Sequence, residues 1–301
     1  MVGKFSSLNS EFLERWYKAV QIYGIPKEAY KPEVKIVKDK IKGEFSFGII
    51  LNNYRFQRYE QPGNSCFLCD VVDISDKEQI MNLDPESKLK GFRVIPNKYP
   101  LLPGTSVAIS TEERPMYTDD LDHLPQELSN LIRFTNATGF RFFHNGPGAG
   151  ASIPGHEHYH LTNFGVAYDL AGEIYGFDSK KNYQDIISND IFINYNFPFF
   201  HLIFNQKAQD RLVFFLKQLN KKLGSNFPNK VVPHGIAEIE SGILVVPVKN
   251  YQDKGIGSGD MAGHLVVKTR KDFERADYGW CITKLQERLY TQEELNLERF
   301  L

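Results

Sequence analysis

The 301-residue sequence is short of most features that would fit a protein to a special environment. It has three cysteines, an odd count, and two of them stand as Cys66-x-x-Cys69. That excludes a disulfide framework and leaves metal binding or a pair of reduced thiols. No apolar run approaches the ~18–20 residues of a membrane span, and Met1 to Asn9 lacks the apolar core of a signal peptide. There is no basic excess either: 36 Lys+Arg stand against 37 Asp+Glu, a formal net charge of -1. Proteins that follow nucleic-acid backbones carry such an excess, so nucleic acid is not an expected partner and any phosphate must meet a local site. No low-complexity segment and no residue-level repeat stands out. What remains is the expectation of a cytoplasmic globular protein. With 42% hydrophobic and 24% charged residues it can bury a core, and at about 150 residues per domain its length allows two.

The elements that are present fall into two halves. Residues 10–23 space Phe12, Leu13, Trp16 and Val20 on one face, which predicts an opening amphipathic helix. From 34 to 60 β-branched and aromatic residues are broken by Asn52-Asn53, which predicts a hairpin. Phe92 to Ile95 and Ser106 to Ser110 read as short strands. Residues 118–135 read as a helix with acidic residues in its first turn, where they favour the helix dipole. Two more strands are expected around RFFHNGPGAGASIPGHEHYHLT. After an irregular stretch over 165–194 the same kinds of element recur: a strand over 195–204, a helix over 206–223, and strands over 235–239, 242–247 and 263–267. The expected fold class is α+β, antiparallel sheets with packed helices, divided into residues 1–165 and 166–301.

The chemistry concentrates in His156, His158 and His160. In a strand, side chains at i, i+2 and i+4 share one face, so three imidazoles stand in a row while Glu157 and Tyr159 point the other way. Near neutral pH imidazole serves as nucleophile, acid, base or metal ligand, and packing does not account for such a row. A site made only of metal ligands fits less well, because tetrahedral coordination needs convergence rather than one flat face. Immediately upstream lies Asn145-Gly-Pro-Gly148-Ala-Gly150-Ala-Ser152. Its small residues admit backbone N–H groups to phosphate oxygens and the Ser152 hydroxyl can donate as well; a tight connection between strands is the alternative. The run lacks the lysine and spacing of a Walker loop or a dinucleotide fingerprint. His144 borders it and could line a pocket. His123, His201, His234 and His264 belong to no motif, and Cys281, without a partner in sequence, is expected in the core.

His156-Glu-His158-Tyr-His160-Leu resembles the histidine-triad signature, and the longer run GPGAGASIPGHEHYH is similar to the transferase branch of that superfamily. The branch includes galactose-1-phosphate uridylyltransferase, diadenosine tetraphosphate phosphorylase and the GDP-hexose phosphorylases. Cys66-x-x-Cys69, Asn97-Lys-Tyr-Pro100, Gly242-Ile-Leu-Val-Val-Pro247 and Ala262-Gly-His-Leu-Val266 extend the resemblance over roughly residues 40–270. It implies two tandem histidine-triad-like units, the second degenerate. It also implies covalent catalysis: His158 attacks the α-phosphorus of a nucleoside diphosphate sugar or dinucleoside polyphosphate and passes the nucleotide to phosphate or a sugar phosphate. Gly148, Gly150 and Ser152 would hold phosphoryl oxygens, with Asn97 and Asn145 on the substrate. A structural zinc is implied at Cys66, Cys69 and His156, with Glu113 where zinc-bearing relatives place a histidine. Two departures stand out. The transferases carry Gln two residues after the nucleophile, whereas this chain carries His160, as the hydrolase branch does; a protonated His160 could act as an acid on the leaving group. The step from Ser152 to His156 is also one residue longer than in the uridylyltransferases. A histidine-triad hydrolase and a catalytically silent nucleotide-binding protein therefore stay open. Relatives in this branch are often dimers, although no exposed stripe marks an interface here.

Overall fold

In the computed structural model the elements assemble into two sheets and the helices that cover them. The structure describes residues 10–22, 24–30, 32–38, 46–56, 89–112, 120–146, 148–150, 155–162, 184–185, 190–193, 199–239, 242–250, 257–261 and 263–295. Cys66, Cys69, Glu113 and Ser152 lie outside the described residues.

The opening helix forms as α1 (Ser10–Ile22) and buries Trp16, Ala19 and Val20. The Trp16 indole N–H donates to the Thr105 carbonyl at 3.1 Å, so the ring is buried without stranding its donor. The hairpin exists, but its arms are β1 (Glu33–Lys38) and β2 (Ser46–Leu51), paired from Glu33↔Leu51 to Lys38↔Ser46. Asn52-Asn53 therefore follows the second arm and opens the short helix α2 (Asn53–Phe56) instead. The reason lies in the Asn52 side chain. Its Oδ1 accepts from the Arg55 N–H at 3.1 Å, while its Nδ2 donates to the carbonyls of Ala29 and Pro100, each at 3.0 Å. A buried asparagine thus caps a helix and ties three segments together, where a hairpin turn would have left it in solvent.

Nine strands make the larger sheet. The first half supplies β3 (Phe92–Pro96), β4 (Ser106–Ser110), α3 (Leu124–Thr138), β5 (Arg141–Asn145) and β6 (His158–Thr162). The second supplies β7 (Gln184–Asp185), β8 (Ile191–Ile193), β9 (Leu202–Phe204), α4 (Gln209–Leu223), β10 (His234–Ile239) and β11 (Gly242–Pro247). The order across the sheet is β3-β4-β6-β5-β10-β11-β9-β8-β7, and its named pairs are antiparallel. Leaving β7 aside, each half runs strand, strand, helix, strand, strand and lays its strands down in the same order. The two third strands meet at the centre, Asn145 opposite Gly235 and Phe143 opposite Ala237. Helix α3 begins at Leu124 rather than 118 because Pro125 fits only a first turn. It ends at Gly139, whose left-handed φ of 76° lets its N–H reach the Thr135 carbonyl.

The last part of the chain departs from expectation. After α5 (Ser258–Met261), β12 (His264–Val267) pairs parallel with β2, from His264↔Gly48 to Val267↔Leu51. It thus completes a three-stranded sheet with the N-terminal hairpin and does not extend the second half. Helices α6 (Arg270–Arg275) and α7 (Tyr278–Gln286) follow.

The large sheet has an apolar layer on each face. On one, Phe142, Tyr159, Leu161, Ile236 and Val245 pack with α1, α3 and α4 through Trp16, Leu128, Leu131, Leu212 and Leu216. On the other, Phe143, Ala237, Leu244 and Val246 meet Phe47, Ile49, Met261, Leu265 and Leu285. The three-stranded sheet and α5–α7 thereby cover the face that carries the histidine row. Cys281 lies in this second layer, fully buried, and burial pushes its thiol up to about 12, as suits an inert core residue.

Candidate active site

Strand β6 is buried along its whole length and alternates as its sequence implies. Tyr159 turns to the helices, where its hydroxyl donates to Glu127 Oε2 at 2.9 Å. His158 and His160 turn to the other face, their rings edge to face with centroids 5.3 Å apart. Phe143 lies opposite His160 across β5–β6 and stacks on it, centroids 4.8 Å apart and planes inclined by 16°. Two residues on along each antiparallel strand, Asn145 and His158 share that face by the same period.

Only His158 and His160 of the expected row lie in β6; His156 sits in a bend just before it, and each of the three has a different partner. The Nε2–H of His156 donates to the Ser110 carbonyl at 2.9 Å. His158 donates through Nδ1–H to the carbonyl of His156 at 2.8 Å, which puts the lone pair of the neutral ring on Nε2. Burial pushes His158 down to about 4, partly offset by that backbone bond. The ring is therefore neutral near pH 7 with Nε2 basic, which is what a nitrogen nucleophile needs. His160 Nδ1 lies 3.3 Å from Asn97 Nδ2, while Asn97 Oδ1 accepts from the Tyr99 N–H at 2.9 Å. Both ends of the Asn97 amide are thus engaged within the protein.

The glycine turn is built against the start of β10. The Gly146 N–H donates to the His234 carbonyl at 2.8 Å, and a Cβ at Gly146 would lie 2.5 Å from that oxygen. The Ala149 N–H donates to the Gly146 carbonyl at 3.0 Å, and Gly148 and Gly150 take left-handed φ of 64° and 88°, where a Cβ is strained. His234, without a motif in sequence, thus sets the floor of this turn. Asn145 Oδ1 accepts from the Ser258 N–H at 2.6 Å and from its hydroxyl, which clamps α5 onto the sheet beside the row. His144 does not line this face. It turns to the helices, 4.7 Å ring to ring from Tyr159, with Nε2 2.8 Å from Glu157 Oε1 at an angle outside ordinary hydrogen-bond geometry. Burial pushes the Glu157 carboxyl up, but the facing His144 more than offsets it and holds the group below the ordinary range.

Beside Phe143 and Asn145 opens a cavity of about 460 Å³ between the large sheet, β12 and helices α6 and α7. Arg55, Lys268, Arg275 and Lys284 line it against Asp260 and Asp272, and Trp280 offers an aromatic wall. The cationic excess and the indole suit an anionic ligand with a flat ring. Sequence reading missed these residues. They come from α2 and the last forty or so residues, and nothing in their spacing announces that β2–β12 pairing brings Arg55 to the others. His264, likewise without a motif, is part of this wall.

Of the four residues expected to hold zinc, only His156 is described. Its Nε2–H donates to a backbone carbonyl, the kind of outer-shell bond that orients ligating histidines, so this residue fits the role. Among the described residues no three His, Cys, Asp or Glu side chains group as a metal site, and no helix is long and apolar enough to cross a membrane.

The same fold occurs in solved structures of yeast Ap4A phosphorylase Apa2. The form in complex with Ap4A aligns at TM-score 0.66 and 14% identity over 95% of this chain and 98% of that one. Another Apa2 structure aligns at 0.64 and 15% identity over 95% of each chain. The chain thus has the α+β fold of those structures, with His158 and His160 on a buried strand of its large sheet. The chain belongs to the family described as a domain of unknown function (DUF4922), which matches residues 9–163. No curated protein matches it.

Proposed function

We propose that the chain is a nucleotidyl-transferring enzyme in which His158 carries the nucleotide covalently. The observation that carries this reading is the His158 Nδ1–H bond to the His156 carbonyl, which leaves Nε2 basic on the sheet face that also carries Phe143 and Asn145 of the cavity wall. The lone pair of Nε2 forms a bond to the α-phosphorus of a nucleoside diphosphate sugar or dinucleoside polyphosphate. The α-phosphorus to bridging-oxygen bond breaks as it forms. Phosphate or a sugar phosphate then takes the nucleotide from nitrogen. Dividing the transfer in two lets one pocket serve donor and acceptor in turn. The glycine turn and the cavity cations supply fixed donors and charge for the phosphoryl oxygens. Support also comes from the fold, shared with a protein crystallised in complex with Ap4A. Cys66, Cys69, Glu113 and His156 are proposed to hold a structural zinc that ties the N-terminal segment to the active strand; a mole of zinc per chain, lost in Cys66→Ser, is the expected result.

The test is intact mass under a mildly alkaline quench, since phosphoramidates are acid-labile. The protein is incubated separately with UDP-glucose, UDP-galactose, GDP-glucose, GDP-mannose and diadenosine tetraphosphate. A gain of one nucleoside monophosphate, absent from His158→Ala, is expected and names the base. Free nucleotide without an adduct would move the assignment to a hydrolase. Turnover that survives in His158→Ala would end the covalent mechanism.

A further inference from the structure

A protonated His160 could act as an acid on the leaving group, and its surroundings decide whether it can. Asn97 follows β3, is buried, and donates its own N–H to the Thr105 carbonyl at 3.0 Å. Its Oδ1 accepts from the Tyr99 N–H. A peptide N–H can only donate, so this bond decides which way the amide points and turns Nδ2 toward His160. An amide nitrogen has only protons to offer, so Nδ1 of His160 is the acceptor and the ring proton is on Nε2. Protonating Nδ1 would set two donors against each other, and turning Asn97 to receive that proton would strand the Tyr99 N–H. Phe143 stacked on the ring fixes its plane.

We propose that Asn97 is a positioning residue that holds His160 as a neutral Nε2–H donor, which restricts the enzyme to phosphoanhydrides. This rests on the reading of His158 as nucleophile. When His158 Nε2 bonds to the α-phosphorus, the electron pair of the breaking bond leaves on the bridging oxygen. From an anhydride that oxygen departs as part of a phosphate anion and takes no proton. An amine or alkoxide must be protonated as it leaves. A neutral His160 cannot supply that proton, because losing it would leave an imidazolate. It can donate a hydrogen bond to a phosphoryl oxygen throughout, as a carboxamide would, and in the second step the nitrogen–phosphorus pair returns to His158 as the acceptor oxygen bonds.

The tautomer is read directly from the full chain labelled with ¹⁵N-histidine. Nδ1 of His160 is expected in the pyridine-like range and Nε2 in the pyrrole-like range. Asn97→Asp, which offers Nδ1 an acceptor, is expected to place a proton on it; a merely structural Asn97 would not produce that change. A wild-type ring protonated on Nδ1 overturns the assignment. In kinetics, His160→Gln keeps a neutral donor and should lose clearly less of kcat than His160→Ala, which loses about a hundredfold or more, the scale of removing one preorganised donor. Equal loss in the two variants would mean that His160 is an acid and overturns the proposal. Diadenosine tetraphosphate or UDP-glucose should turn over and adenosine 5′-phosphoramidate should not; comparable rates on both overturn the restriction. If no anhydride turns over, the reading of the function falls, and the nitrogen shifts still decide the role of Asn97.

Discussion

Glu238 gives the sharpest energetic test of the fold. It lies on β10 near the centre of the large sheet, fully buried. Thr135, Arg141 and Gln206 all donate to its Oε1, at 3.1, 3.1 and 3.0 Å. Burial nevertheless dominates and raises the carboxyl from 4.5 to about 7, against the lowering pull of Arg141 and the hydrogen bonds. An acid whose folded pKa lies above its unfolded value contributes stability in full below the unfolded value. That contribution is lost as pH rises through the folded one. The window here runs from about 4.5 to 7, and the loss across it is about 3 kcal/mol at 1.36 kcal/mol per unit. Glu238→Gln keeps an oxygen for the three donors and removes the charge that burial penalises. Urea unfolding of wild type and variant at pH 5 and pH 8 should therefore show the variant equal or weaker at pH 5 and stronger by a few kcal/mol at pH 8. A variant weaker by the same amount at both pH values would refute the reasoning, since the Arg141 pair would then outweigh desolvation.

Other perturbations have signs that follow as directly. Burial lowers His201 and His234 from 6.5 to about 4, against a raising backbone bond from each Nδ1–H to the carbonyl two residues back. The stability tied to each is complete above pH 6.5 and is lost as pH falls through 4. Replacing His201 by Asn should flatten the acid limb of the unfolding midpoint by up to about 3 kcal/mol; an unchanged limb would show the ring to be accessible to protons when folded. Gly146→Ala drives a Cβ into the His234 carbonyl and should cost tenfold or more in kcat with a smaller change in unfolding midpoint, because the turn moves while the core stays. Phe142→Ala empties a fully buried site that packs edge-on against Tyr159, centroids 6.1 Å apart. It should cost about 3–5 kcal/mol in denaturant titration, and a loss below about 1 kcal/mol would mean that the helix-side layer collapses around the gap.

The parts of this architecture legible in the sequence are those set by local periodicity. The period of two along His158 to Thr162 places Tyr159 with the helices and His158 on the opposite face, and the span 242–247 matches β11 residue for residue. What escaped depends on partners far away in the chain. Asn52-Asn53 has the composition of a turn, and only the carbonyls of Ala29 and Pro100 make Asn52 a buried tie. The strand at 263–267 was visible as a strand, but its choice of β2 over the second half of the large sheet depends on a parallel register that no local pattern encodes. That choice also assembles the cavity, since it carries Lys268 and the two helices after it over Phe143 and Asn145. The face of His144 was left open for a simpler reason: strand parity puts it opposite to Asn145, and its place beside the glycine run said nothing about its face.

The three histidines show most directly where sequence stops and structure begins. As written they are the same side chain repeated at the same spacing, and no property of the strand distinguishes them. The difference lies in what each ring nitrogen meets. His156 donates from Nε2 to the Ser110 carbonyl of a neighbouring strand. His158 donates from Nδ1 to the His156 carbonyl just before its strand, which frees a lone pair on Nε2. His160 receives at Nδ1 from Asn97, which puts the proton on Nε2. Adjacent imidazoles on one strand face are thereby set to opposite functions, one with an electron pair to give and one with a hydrogen to share. The choice is made by a backbone carbonyl and a carboxamide that never touch the reacting atoms. On the proposed reading, a nucleophile and a donor side by side would suit a reaction whose leaving group already carries its own negative charge.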